Sequence, residues 1–436
     1  MTSTTTLLVD FGASRIKSAA WCCKEEKIIA VKECAAPTPN FGADGAVEIS
    51  PEDYWIAFEK TAGEILREYQ EIDSLWLCTE MHGVMLIDVD SDKPLTSYIS
   101  WRDERASRSS TLSDLQKISE DFFAQSAMRL RCGLPFITLA HLKKIHKLPS
   151  AFRFLTLADW LLWRGGEKDP AIHASLAAGT GLFSVKEKNW SANLAKMAGL
   201  DYQKIIFPKV VEAGQKIGEI NIAERKVKVF GGIGDLQAAA HGAGFPALAK
   251  LLINLGTGSQ VIGCMNNPSE KLEIRLGVKG ENFSAITHIP SGRALNVFAN
   301  FFDSCSVRGD EDSAFWNIFS SLSSEEVLNA ELNVDLAVFE AAWNYKNGGS
   351  ISGIMEGKFS ARGLIAAIAK SWLKQYAQAI AEIDLENEST SFLLAGGLSR
   401  RGKFILPVLE ILTKRKGIMA QTKTGEETLD GLLALS

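Results

Sequence analysis

The chain has 436 residues, more than one hydrophobic core can serve and enough for two domains. Its hydrophobic share of 46% and charged share of 23% are those of an ordinary globular protein. The 47 Lys+Arg against 52 Asp+Glu leave a formal net charge of -5, without the basic excess of a nucleic-acid binder, and no apolar run reaches the ~18 residues of a membrane-spanning helix.

Met1 to Thr6 is polar and leads into a strand-like Leu7-Leu8-Val9, without the charged and apolar regions of a signal peptide. Leu8-Val-Asp-Phe-Gly-Ala-Ser14 and a second apolar run, Ile16 to Trp21, predict a hairpin. Pro51 to Gln70 has helical spacing with Ser50 at the N-cap position and Pro51 in the first turn. Ser74 to Thr79 and Val84 to Val89 read as strands around Met81-His82-Gly83. Helices are expected over Leu112 to Ala127, Pro135 to Lys147 and Ala151 to Arg164. Lys226 to Phe230 reads as a strand, Gly231 to Gly234 as a turn, and Asp235 opens a small-residue helix ended by Gly244-Phe245-Pro246. A boundary there gives domains of residues 1–245 and 246–436.

In the second half, Leu252-Ile-Asn-Leu-Gly-Thr-Gly258 and Gln260 to Cys264 repeat the pattern of the first hairpin. Leu364 to Ile383 reads as a long helix, Ser391 to Leu394 as a strand entering Gly396-Gly397, and Arg401 to Leu412 as a helix. Alternating strands and helices indicate an α/β protein. The seven cysteines are scattered without a C-x-x-C pair, which fits core packing in a reducing cytoplasm.

Several residues carry chemistry. Asp10 at a strand end beside a glycine turn either caps the turn or holds a hydrated Mg²⁺, and Lys17 either faces solvent or neutralises phosphate. Gly256-Thr257-Gly258-Ser259 and Ala395-Gly396-Gly397-Leu398-Ser399 are small-residue turns able to offer bare backbone to a nucleotide. Asp235 is either a simple N-cap or a general base, its helix-start position favouring the ionised form. Met81-His82-Gly83 and Trp101-Arg102-Asp103 supply apolar surface and polar groups of the kind a sugar site uses. A P-loop signature is missing, and Gly242-Ala-Gly-Phe-Pro-Ala247 follows a helix, so it does not qualify as a dinucleotide-binding turn.

Taken in order, Asp10-Phe-Gly-Ala-Ser-Arg-Ile-Lys17, Met81-His-Gly83, Trp101-Arg-Asp103, Ala178-Gly-Thr-Gly-Leu-Phe183, Gly234-Asp-Leu-Gln-Ala238, Leu255-Gly-Thr-Gly258 and Ala395 to Ser399 resemble the FGGY family of carbohydrate kinases. The resemblance implies two actin-like (ribonuclease H-like) domains with a catalytic cleft between them, and an ATP-dependent, Mg²⁺-assisted transfer to a sugar. It implies ATP contacts at Gly12, Ser14, Lys17, Gly256, Thr257, Gly396, Gly397 and Ser399, Mg²⁺ at Asp10, and sugar contacts at Met81, His82, Trp101 and Asp103. Asp235 would take the proton of the attacking hydroxyl. Within the family, Met-His-Gly and Gly-Asp-Leu-Gln look closest to ketose kinases for xylulose or sedoheptulose. Ala13, Glu80 and Arg102 depart from the usual Thr, Gln and amide, the latter two bringing charge toward the sugar site, and residues 266–390 match poorly. These departures leave open a weakly catalytic sugar sensor, and the fold class an actin-like scaffold. The expected partners are a sugar and ATP, with no nucleic acid or membrane, and the resemblance allows a homodimer.

Overall fold

Thr5–Phe11 (β1) is buried on both faces almost throughout, the pattern of a central strand, and it pairs with Arg15–Cys22 (β2) in an antiparallel hairpin. The computed structural model describes residues 5–305, 313–340 and 342–436. They form two units, one of Met1–Gly242, Ile274–Asn282 and Thr422–Ser436, the other of Ala243–Glu273 and Phe283–Gln421.

In the first unit β2 continues to an edge strand, Lys27–Ala35 (β3), whose exposed and half-buried residues alternate as an edge requires. The helix starting at Pro51 (α1, Pro51–Phe58) runs through a wider turn at Glu59–Gly63 into Glu64–Glu68, close to the expected span; Ser50 sits at its N-cap without a side-chain cap. On the other side of β1, Ser74–Thr79 (β4) runs parallel to it. The helix expected over Ala151 to Arg164 is instead a strand, Phe152–Leu155, followed by α2, Leu157–Arg164. A capping box starts α2 there: Thr156 N and Oγ1 both donate to Asp159 Oδ2, at 2.9 and 2.8 Å.

Lys216–Ile222 (β5) and Arg225–Gly234 (β6) complete the sheet, in the order β5-β6-β4-β1-β2-β3. Gly231 to Gly234, expected as a turn, belongs to β6 and contains a bulge opposite Leu77 and Cys78. Gly231 and Gly232 both have positive φ, and a Cβ on Gly231 would lie 2.6 Å from Leu77 O, so the bulge needs glycine. Asp235–Gly242 (α3) follows directly.

The second unit repeats this plan. Leu251–Asn254 (β7) and Ser259–Gly263 (β8) form the second hairpin, β8 pairs antiparallel with Asn282–Ile289 (β9), and helix α4 spans Gly292–Cys305. The long helix α5 (Ala361–Ile383) buries Trp372 and Tyr376 in an apolar core with Phe319 and Phe404. Ser391–Ala395 (β10) lies parallel to β7, and after Ile405–Thr413 (α6) Lys416–Met419 (β11) lies parallel to β10. The strand sequence β11-β10-β7-β8-β9 therefore matches β6-β4-β1-β2-β3 in both position and direction. Among the described residues no helix is long and apolar enough to cross a membrane.

The last helix, α7 (Glu427–Leu433), was expected in the second domain, as a single cut after residue 245 requires. It packs in the first unit, against α3. The two helices meet through glycines: a Cβ on Gly431 would collide with Ala238 O, and one on Gly242 with Glu427 O. Gly431→Val is expected to lower stability by about 1–3 kcal/mol through overpacking. Chemical denaturation of both proteins measures this, and an unchanged midpoint would mean that the helices do not need the close approach.

Candidate active site

Three parallel strands of the first unit end at one place. The register sets Asp10 beside Cys78 and Cys78 beside Ile233, so the C-terminal ends of β1, β4 and β6 deliver Asp10, Glu80 and Asp235. Ligands of open α/β sheets bind at such carboxyl ends. Glu80 is anchored there by its own backbone, its N–H donating to Phe11 O at 2.8 Å.

Asp235 is half-buried and its Oδ1 accepts from Leu236 N at 2.8 Å. Loss of water around the carboxyl, with the carboxylates of Asp10 and Glu80 nearby, pushes its pKa up to about 7. This corrects the expectation that the helix start would hold Asp235 ionised: the contact to Leu236 N acts in that direction, and desolvation outweighs it. Asp10 is also raised by burial, against the lowering effect of Thr428 Oγ1, which donates to its Oδ2 at 2.7 Å, and of Cys78 Sγ at 3.4 Å from Oδ1. Lys17, expected to face phosphate, is paired with Glu426 at 2.6 Å and with Glu33 at 3.6 Å. An anion at that turn would compete with Glu426.

The residues expected to meet a sugar divide into two kinds. Trp101 keeps 36% of its surface exposed, and its Nε1 donates to Glu80 Oε2 at 3.2 Å. Tyr54 OH donates to Glu80 Oε1 at 3.1 Å, and burial lifts the Glu80 carboxyl above the usual range. His82 has a φ of 68°, strained for a residue with a side chain. Its Nδ1 lies 2.5 Å from Gly179 O, and since a carbonyl only accepts, Nδ1 carries the proton. Met81 is buried, its side chain filling the space beside Gly179 and Gly234, immediately before Asp235. Asp103, expected to accept from a sugar hydroxyl, is buried with its oxygens committed to Val47 N at 3.0 Å and to Arg105 Nε at 2.9 and 3.1 Å. The physical reason is Arg105, whose guanidinium also pairs with Glu48, so that Asp103 clamps the loop.

The second unit brings its two glycine turns together. Leu255 N donates to Ala395 O at 2.9 Å and Leu398 N to Leu255 O at 3.1 Å. A Cβ on Gly396, whose φ is 89°, would run into Leu255 O and lie 2.6 Å from Asn254 Oδ1, so only glycine fits. Gly397 and Gly258 are exposed, with nothing within 4 Å of a Cβ on either, and leave bare backbone open to a ligand. Gly256 N donates to Ser259 Oγ at 3.1 Å, while Gly256 O and Thr257 O accept from Gly292 N and Arg293 N at the start of α4. Ser399, expected to touch ATP, spends its hydroxyl on Gly396 O at 2.7 Å and fixes the turn instead. In the first hairpin Gly12 N closes the turn onto Arg15 O, and Ala13 and Ser14 are exposed.

Sequence reasoning missed Tyr54, Cys78, Glu426 and Thr428 as site residues. Cys78 lies within β4 and is marked only by its register opposite Asp10, and Thr428 lies 418 positions from its partner.

Duplicated α/β units with paired glycine turns and a carboxylate at the end of β6 define an actin-like two-domain fold. Residues 5–242 match the N-terminal domain of the FGGY family of carbohydrate kinases, and the chain belongs to that family. It is 25% identical over 264 residues to a glycerol kinase of Aquifex aeolicus, covering 57% of this chain and 52% of that protein. It is likewise 25% identical over 239 residues to a xylulose kinase of Staphylococcus xylosus, covering 51% and 48%. The chain thus spans about half the length of the curated relatives it matches. The structure of xylulose kinase from Rhodospirillum rubrum aligns with 99% of this chain and 89% of that one, with a TM-score of 0.82 and 14% identity, so the fold is shared through the poorly matching second half.

The raised carboxyl of Asp235 has a cost in stability with a defined sign. The folded chain holds this proton up to about pH 7, the unfolded chain only to about 3.8, so stability falls as pH rises across that window. Asp235→Asn is expected to gain thermal stability over the parent at pH 8 relative to pH 4. Equal differences in melting temperature at the two pH values would show that the carboxyl is not held protonated by the fold.

Proposed function

We propose that the chain is an ATP-dependent sugar kinase in which Asp235 is the general base. The observation that carries this reading is the Asp235 carboxyl, raised to about 7 beside Asp10 and Glu80 and flanked by Gly234 and small helix residues. A base with that pKa is ionised in part at neutral pH and is more basic than an ordinary carboxylate, as proton abstraction from an alcohol requires.

ATP is held on the second unit, its adenosine at the turn of Gly396 and Gly397, where Gly397 is open, and its phosphates at Gly256 and Thr257; in the first unit the Gly12 to Ser14 turn offers its own backbone to phosphate. The bare, exposed faces of Gly397 and Gly258 fit such a ligand. Asp10 fits Mg²⁺ held through water, since that ion usually takes only one or two carboxylates and its charge would favour the ionised form that burial disfavours. Bound Mg²⁺ would offset charge on the β- and γ-phosphates. Thr428 orients the Asp10 carboxylate, and Lys17 adds its charge as Glu426 gives way.

The sugar lies against Trp101, His82 and Glu80, with Met81 and Asp103 holding the walls. Its hydroxyl oxygen attacks the γ-phosphorus, the new O–P bond forms as the β,γ-bridging bond breaks, ADP departs, and the hydroxyl proton passes to an Asp235 oxygen. Positioning and charge stabilisation supply most of the catalysis in such transfers. A ketose such as xylulose or sedoheptulose is the first acceptor to test, phosphorylated at a terminal hydroxyl.

ADP release coupled to NADH oxidation, measured with ATP, Mg²⁺ and a panel of ketoses, aldonates and glycerol, is expected to be sugar-dependent. Asp235→Asn is expected to lose roughly 10²–10⁴-fold in kcat while its ATP affinity stays near that of the parent; undiminished turnover would sink the assignment. The acidic limb of kcat/KM is expected near pH 7 and at lower pH in Glu80→Gln, because the Glu80 charge helps to raise Asp235. A limb that stays in place would separate Glu80 from the base.

A further inference from the structure

A short helix, Ala174–Ala178, reaches the end of β6 through contacts that the proposed mechanism does not use. His173 at its N-cap and Ser175 in its first turn are both almost wholly buried. His173 Nε2 lies 3.1 Å from Val278 O, and since a carbonyl only accepts, Nε2 carries a proton. Burial keeps the ring from taking up a second one, which leaves Nδ1 bare. Nδ1 accepts from Ser175 N at 3.1 Å and lies 2.9 Å from Ser175 Oγ, so the hydroxyl donates to it as well. With its proton committed there, Ser175 Oγ turns a lone pair to Gly234 N, which donates to it at 3.3 Å. Gly234 is the last residue of β6 and directly precedes Asp235. At the other end of the same helix the C-cap carbonyl of Gly179 accepts from His82 Nδ1.

The end of β6 has little of its own to stiffen it. Gly231 and Gly232 lie just before it with positive φ, and Gly234 has no side chain to pack. The peptide there is fixed by what grips its N–H. We propose that Ser175, oriented by His173, is a positioning residue for the Asp235 base, and that this single helical turn sets the base against His82. The proposal rests on the kinase reading above and deepens it by naming what holds the base in place. Proton transfer works only within hydrogen-bond reach of the attacking hydroxyl, so a small drift of the strand end costs turnover before it costs binding. Val278 belongs to Ile274–Asn282, which packs in the first unit although the chain on either side of it lies in the second, so His173 also pins that segment.

Steady-state kinetics with the best acceptor of the panel separate positioning from binding. Ser175→Ala is expected to lose roughly 5- to 30-fold in kcat, with KM for acceptor and ATP within about twofold of the parent. His173→Leu is expected to fall equally and the double variant no further, because the two side chains act as one unit. His173→Asn is expected to recover most of the loss, since its amide oxygen accepts from Ser175 while the bond to Val278 O is gone. Ser175→Cys, a weaker acceptor at the same place, is expected to fall between parent and Ser175→Ala, and serves where Ser175→Ala fails to fold. Hydrogen exchange at the Gly234 amide is expected to quicken roughly tenfold in Ser175→Ala and His173→Leu at unchanged melting temperature. Parent-like kcat in Ser175→Ala, losses that add in the double variant, or an Asn variant as poor as the Leu variant would each overturn the proposal and leave the kinase standing. A parent that turns over no acceptor would instead remove the kinase reading. The exchange measurement then decides the grip on Gly234 by itself, and unchanged exchange in Ser175→Ala would overturn that too.

Discussion

Crowding of carboxylates at the ends of parallel strands is the constraint around which the first unit is arranged. Asp10, Glu80 and Asp235 are delivered by β1, β4 and β6, and the register leaves them no way to spread apart. Their repulsion and their loss of water are offset locally. Thr428 and Cys78 donate to Asp10, Tyr54 and Trp101 to Glu80, and Leu236 N to Asp235. What these donors leave uncompensated appears as raised pKa values, a stored disadvantage that a proton-accepting site can use.

The rest of the unit keeps that crowd in place. Glycine at 231 and 232 admits a bulge that aligns the end of β6 with β4, and glycine at 242 and 431 lets α7 lie close enough to α3 for Thr428 to reach Asp10. Asp103 and Arg105 clamp the loop that carries Trp101, whose indole donates to Glu80. In the second unit the same strand plan is used differently. There the strand ends carry glycine turns tied to each other by backbone hydrogen bonds, and their open surface is backbone instead of carboxylate.

The sequence by itself determined the duplicated hairpins, the α/β class, the long helix read over Leu364 to Ile383 (observed Ala361–Ile383) and the positions of the glycine turns. Each of these follows from residues close together in the chain: apolar alternation, small residues at a turn, helical spacing. It also singled out Asp10, Asp235 and Trp101, because local motifs mark them. Only the tertiary structure decided that Asp235 is held near neutrality, that Lys17 faces Glu426, that Asp103 is saturated by Arg105, and that α7 belongs with β1. The strand over Phe152–Leu155 and the bulge at Gly231 were likewise hidden, since a capping box and a register shift act over a few residues within longer ambiguous runs. The physical reason is the same throughout. A side chain's partner, and so its charge state, depends on strand register and on which distant segment packs over it, and a separation of 418 residues between Thr428 and Asp10 leaves no trace in local pattern.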